Sequence, residues 1–303
     1  MKTVSSFKSV TLVATSICLL MLAVPAVALT TCSISSPGFL AGYDPTNVTT
    51  SITSTTFDVT CTRDNGAGPA TVTVQYQVAA NNGINASGTQ NRAALSGSFL
   101  NYNLTTDPAC ATPWKGATVI PTPAASFTIA KNSTVTSTAT FYGCIPPGQV
   151  VLPPEGTYTD TVTMTFSLAK AQGQNSFTGG AFPVSIIAPA TCTITTPPSN
   201  VAFSYTAFST TAVLANASIG LQCTKQLAYT LTLDAADGVV AGLNYSLGMN
   251  TTANSGGTNP FSGVGIGTPQ TVYINGTLAA GQAGACSATN CNATDTRTLT
   301  VTY

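Results

Sequence analysis

Apolar and small polar residues alternate along much of the chain with a period of two. Val162, Met164, Phe166 and Leu168 fall on one side of such a run, and Thr161, Thr163, Thr165 and Ser167 on the other. Leu299, Val301 and Tyr303 repeat the pattern against Thr298, Thr300 and Thr302, and the same period runs through residues 71–78 and 229–233. That spacing puts one face of an extended segment in a core and the other in water, which is the mark of a half-buried β-strand. No segment shows helical spacing of apolar residues over a convincing length, and turn residues punctuate the chain throughout. The pattern therefore predicts antiparallel β-sandwiches.

The pattern is written twice. The first copy runs from Cys32 through GYDP (42–45) and Cys61-Thr62 to LNYNL (100–104) and TYTDTVTMTFSL (157–168). The second runs from Cys192 through Cys223-Thr224 and LNYSL (243–247) to ATDTRTLTVTY, which ends at Tyr303. Only the first copy continues, through a Gly/Gln/Asn-rich stretch, into AFPVSIIA (181–188). Phe182, Val184 and Ile186 supply the alternating face of one more strand there, so the second copy is expected to lack its last strand. Such an asymmetry suggests an assembly subunit. The Ala-Pro-Ala before Cys192 marks the boundary, which predicts domains at 29–188 and 189–303, each long enough to bury its own core.

Residues 1–28 have the three parts of a secretory signal: Lys2 and Lys8, an apolar stretch from about Val10 to Val24, and Ala26-Val27-Ala28 before the expected cut. No later run approaches the ~20 apolar residues that span a bilayer. Cys18 is expected to leave with the signal, and an even number of cysteines in an exported chain reads as disulfides. The repeat narrows their pairing. Cys32 and Cys61 bracket the opening of copy one as Cys192 and Cys223 bracket that of copy two, which leaves Cys110 with Cys144 and Cys286 with Cys291.

Charged residues make up only 6% of the chain, and loss of Lys2 and Lys8 leaves seven basic against nine acidic residues. Nothing in that balance steers the protein to nucleic acid or to an anionic membrane. The chain has no histidine, which removes the usual general base and the commonest nitrogen ligand for a metal. Asp234, Asp237 and Gly238 lack the ligand spacing of a calcium loop and read as a turn. Glu155 and Asp160 lie on a loop running into a strand, with nothing to make them a catalytic pair. No lysine after the signal sits in a recognisable motif with serine, and neither enzymatic activity nor a cofactor is expected. Asn-X-Ser/Thr triplets at Asn47, Asn85, Asn103, Asn132, Asn216 and Asn275 follow from a composition rich in Asn and Thr.

Several segments together resemble the spore coat protein U domain: GYDP after the first cysteine, the following Cys-Thr pair, NRAALSGSFLNYNLTTDPACATPWKG (91–116), YGCIPPGQ and GTYTDTVTMTF. Copy two is a looser match, with VAFSYTAFS in place of the GYDP region and no counterpart of Trp114. That domain builds subunits of Csu-type archaic chaperone-usher pili, including a two-domain tip adhesin. The resemblance implies two tandem immunoglobulin-like, pilin-type sandwiches, the second lacking its last strand. It further implies that a periplasmic pilus chaperone, and then a strand donated by an adjacent pilin subunit, fills the gap by β-strand addition at an outer-membrane usher. Burying about five inward donor side chains at ~1.5 to 3 kcal/mol each would contribute roughly 8 to 15 kcal/mol before ordering costs.

Cleavage before Leu29 leaves only Leu29, Thr30 and Thr31 ahead of Cys32, too short a segment at ~3.3 Å per residue to reach a neighbour's groove. An accepting subunit without a donor segment belongs at the tip of a surface pilus, with functions in attachment and biofilm formation. Leu299, Val301 and Tyr303 are then the expected chaperone-contacting, strand-accepting edge. The expected surface-binding positions are Val150, Val151 and Leu152, consecutive apolar residues in the proline-stiffened CIPPGQVVLPPEG loop (144–156), with Trp114, Val119 and Ile120, and Phe39 with Leu40. Their expected target is a hydrophobic surface. Two alternatives are a duplicated-domain shaft or coat subunit, and a carbohydrate-binding module, for which one tryptophan and scattered tyrosines offer little platform.

Overall fold

A computed structural model describes residues 27–303 apart from Thr46, Val150, Val151 and residues 287–290. Residues 1–26 of the expected signal therefore lie outside the described residues. The described chain is all β. In order, the strands of the first unit are β1 (Leu29–Ile34), β2 (Phe39–Gly42), β3 (Ser51–Arg63), β4 (Thr71–Ala80), β5 (Asn91–Leu95), β6 (Ser98–Thr105), β7 (Ile120–Ala130), β8 (Ser133–Ile145), β9 (Gly156–Ala171), β10 (Gln174–Thr178) and β11 (Gly180–Ala188). Those of the second are β12 (Cys192–Thr196), β13 (Val213–Cys223), β14 (Ala228–Leu233), β15 (Asp237–Val240), β16 (Leu243–Asn250), β17 (Phe261–Val264), β18 (Gln270–Leu278) and β19 (Leu299–Thr302).

One layer of the first sandwich is ordered β10-β1-β3-β8-β6; the other places β4 between β7 and β9, and continues from β9 through β11 to β2. The β5–β6 hairpin joins the two layers, because β5 also meets β9. The second sandwich repeats the plan with fewer strands, β12-β13-β18-β16-β15 facing β17-β14-β19. Strands β12, β13, β18, β16 and β15 stand where β1, β3, β8, β6 and β5 stand in the first unit, and β17, β14 and β19 stand for β7, β4 and β9. Counterparts of β11 and β2 are absent among the described residues of the second.

The alternation seen in sequence is used as expected. In β9, Tyr158, Val162 and Met164 are wholly buried, and so are Phe182, Val184 and Ile186 of β11. Trp114 lies at the centre of the first core, stacked on Phe57 with ring centroids 5.6 Å apart and tilted against Phe141 at 5.0 Å. Phe182 completes the group at 5.2 Å from Phe141. The second core, around Ile219, Leu221, Leu231, Leu233, Met249 and Val272, contains no tryptophan and is smaller. Cys32 bonds Cys61 and Cys192 bonds Cys223, each pair directly opposite in register between the first two strands of its layer. Cys110–Cys144 and Cys286–Cys291 complete the four bridges.

Candidate functional site

The first sandwich shows what the second is missing. Its last strand, β11, runs antiparallel to β9, with Phe182 opposite Val162, Val184 opposite Asp160 and Ile186 opposite Tyr158. On its other edge β11 pairs in parallel with β2, Val184 opposite Phe39 and Ile186 opposite Ala41. In the second sandwich β19 pairs only with β14, Leu233 opposite Leu299 and Leu231 opposite Val301. Its outer edge has no strand partner among the described residues. Leu299 and Val301 face the core as Met164 and Phe166 do; Leu299 is only half-buried where its counterpart Met164, opposite β11, is wholly buried, and Tyr303 is 58% exposed.

The segment corresponding to β2 is present in the second unit but is not a strand. Phe203 packs over Gly276 of β18, where any Cβ would run into its ring, just as Phe39 packs over Gly143 of β8. Residues 199–206 nevertheless adopt no strand, because the strand that would receive their backbone hydrogen bonds is missing. The gap between this segment and β19 is the place that β11 occupies in the first sandwich, and among the described residues no strand pairs with β19 there.

A tyrosine–aspartate pair occurs at the same place in both units, and sequence reasoning missed it. Tyr102 Oη donates to Asp160 Oδ2 at 2.7 Å in the first, and Tyr245 Oη donates to Asp295 Oδ2 at 2.5 Å in the second. Asp160 is buried and its Oδ1 accepts from the amides of Ile84 (2.9 Å), Asn85 (3.1 Å) and Thr161 (2.9 Å), so it orders a loop instead of lying in solvent. Burial, followed by the hydrogen bond to Asp160, pushes the Tyr102 phenol well above its ordinary value. The available signal was the repetition of Asn-Tyr in LNYNL and LNYSL, and of Thr-Asp-Thr at 159–161 and 294–296. The copies differ two residues on. Val162 of the first unit is replaced by Arg297, which donates through Nε and Nη2 to Tyr245 Oη (2.9 and 2.7 Å) and through Nη2 to Asp295 Oδ2 (2.7 Å) and the Asp237 carbonyl (3.1 Å).

The family model of the Spore Coat Protein U domain matches residues 19–165 and again 178–300. The chain belongs to this family. Three solved structures match the chain at low identity and low structural overlap. The CsuC–CsuE chaperone–tip adhesion subunit pre-assembly complex, from archaic chaperone-usher Csu pili of Acinetobacter baumannii, is 15% identical with a TM-score of 0.43, over 90% of this chain and 100% of that one. The CupB6 tip adhesin of Pseudomonas aeruginosa is 12% identical, TM-score 0.34, over 91% and 95%. A chaperone–tip adhesin complex of CFA/I fimbriae biogenesis is 12% identical, TM-score 0.34, over 88% and 97%. Curated protein sequences yield no match.

In this Spore Coat Protein U chain the expected surface-binding residues do not form one exposed group. Phe39, Trp114 and Ile120 are 1%, 1% and 6% exposed and belong to the first core, which corrects their assignment to the surface. Trp114 is held there by its rings and by an Nε1 hydrogen bond to the Val78 carbonyl at 3.0 Å. Val119 is half-buried. Leu40 and Ile187 are both exposed on the outer face of β2 and β11, opposite Ser185 and Gly42 respectively. Val150 and Val151 lie outside the described residues.

Leu152 is half-buried at the junction of the two sandwiches. Its amide donates to the Gly267 carbonyl at 3.0 Å and its carbonyl accepts from the Lys225 amide at 3.2 Å. Topology explains that position. The 144–156 loop enters β9 at Gly156, which pairs with Ala188, the last residue of β11, and from there the chain passes directly into the second unit. A finger projecting away from the second sandwich is thus not available to Leu152. The opposite end of the first sandwich carries the polar turns at 64–70, 131–132 and 172–173.

Proposed function

We propose that the chain is a two-domain subunit of a chaperone-usher surface fibre, whose second sandwich receives a strand from another polypeptide and whose first sandwich is already complete. The observation carrying this reading is the contrast between β9 and β19. Two strands with the same inward alternation differ in cover: β11 lies along the first and buries Met164, whereas no strand among the described residues lies along the second, and Leu299 is half-buried. Before assembly a periplasmic pilus chaperone covers the groove; at the outer-membrane usher an adjacent pilin subunit replaces it, and the product reaches the cell surface.

The subunit occupies the tip in this proposal, because β1 from Leu29 onward is built into its own sheet and closed by Cys32–Cys61, so it is not free to complete a neighbour. The first sandwich then faces outward as the adhesin in attachment and biofilm formation. Its contact with hydrophobic surfaces draws on Leu40 and Ile187, with Val150 and Val151 as further candidates. The test co-expresses the chain with a pilus chaperone and compares the parent with a chain extended past Tyr303. Loss of co-purification on extension supports β19 as the covered edge, whereas undiminished capture counts against it. N-terminal sequencing of the assembled protein separates tip from shaft: a long segment ahead of Leu29 would favour the duplicated shaft or coat subunit.

A further inference from the structure

The strand that fills the second groove is not interchangeable with the strand that fills the first. We infer that the donor carries a small side chain with a hydrogen-bond acceptor, such as Ser, Thr, Asn or Asp, at the one position that faces Arg297. This rests on the strand-accepting reading above and names the chemistry of the partner.

The two units correspond around the groove. Tyr102 and Asp160 hold the places of Tyr245 and Asp295, each tyrosine hydroxyl donating to its aspartate, and Gly238 lies opposite Tyr245 as Asn91 lies opposite Tyr102. A Cβ on Gly238 would collide with the Arg297 guanidinium and the Tyr245 ring. The β4–β9 and β14–β19 ladders agree, pairing Ala80 with Met164 in one and Leu233 with Leu299 in the other. Arg297 therefore stands at the inward position of Val162, which in the first sandwich lies opposite Phe182, both wholly buried. A strand laid on β19 in that register sets the counterpart of Phe182 over the guanidinium.

At present the ion pair keeps water, with the Arg297 and Asp295 side chains 21% and 31% exposed. A donor strand would remove that water, as β11 does over Asp160, which is 3% exposed. Nε and Nη2 already have acceptors within the chain, but Nη1 has none among the described residues. Covering it with an aromatic or aliphatic side chain would bury charged N–H donors without a partner, which is costly. An acceptor on the donor strand removes that penalty and completes the Tyr–Asp–Arg cluster. The same arginine then discriminates against the chain's own β11 sequence, whose Phe182 offers no acceptor, and so against closure by a second copy of that segment.

The test uses the full-length oxidised chain bound to its chaperone, challenged with nine-residue peptides of the β11 sequence (180–188) that carry Phe, Ala or Asn at the position of Phe182. Chaperone release by the Asn peptide is expected at a concentration roughly ten-fold or more below that needed for the Phe and Ala peptides. On an Arg297→Val chain the order should reverse, with Phe best. Equal potency of the three peptides on the parent chain would overturn the inference and leave strand acceptance intact. Failure of every peptide on both chains would instead remove the strand-accepting reading, and the inference with it.

Discussion

Converting the first sandwich into an acceptor tests whether β11 is what separates the two units. Phe182, Val184 and Ile186 are each 0% exposed, and full burial of such side chains contributes about 1.5 to 3 kcal/mol apiece. Replacing all three with Ser should cost about 5 to 9 kcal/mol in transfer terms, and more once the cavity beside Phe141 and the buried hydroxyls are included. Small domains hold only about 5 to 15 kcal/mol in total. The oxidised fragment 29–188 should therefore show one cooperative thermal transition by near-ultraviolet circular dichroism, and the triple variant little or none. The backbone of β9 and β2 is untouched, so a peptide of the parent 180–188 sequence added in excess should restore the transition. A triple variant that unfolds cooperatively with stability within about 2 kcal/mol of the parent would refute the argument. So would peptide that fails to rescue a variant already shown to be destabilised.

The fragment 189–303, with its half-exposed Leu299 and Val301, should aggregate or be degraded on its own; a cooperative transition from a monomeric sample would contradict this. The raised Tyr102 phenol favours the neutral form in the fold, so its contribution is present below the ordinary value of 10.0 and fades as pH rises above it. Tyr102→Phe should lower the melting temperature at pH 7 by removing a buried hydrogen bond, and the gap to the parent should narrow above about pH 10; a gap independent of pH would count against the pairing with Asp160. Leu152→Pro removes the amide that donates to Gly267 and should broaden the range of orientations between the sandwiches in small-angle scattering without unfolding either; an unchanged profile would show that the junction is held elsewhere.

Everything local was legible in the chain itself. A period of two needs only neighbouring residues, so the strands around Val162, Phe182 and Leu299 could be placed, and the duplicated spacing of Cys32–Cys61 and Cys192–Cys223 fixed those two bridges and left four cysteines for the others. The missing strand was also readable, since it is a difference between two copies of one text. Side-chain destinations were another matter. Phe39, Trp114 and Ile120 sit beside turn residues and resemble exposed apolar tips, but β8, β4 and β11 close over them from positions far along the chain. Tyr102 and Asp160 are 58 residues apart, and only the packing of β6 against β9 makes the aspartate a buried acceptor instead of a solvated charge. Composition marked the 144–156 loop as apolar and stiff, but which end of the sandwich it occupies depends on where β9 begins relative to the end of β11. Strand identity follows from the alternation of neighbours, which a sequence contains; facing and burial follow from pairing between distant strands, which exist only once the layers have closed.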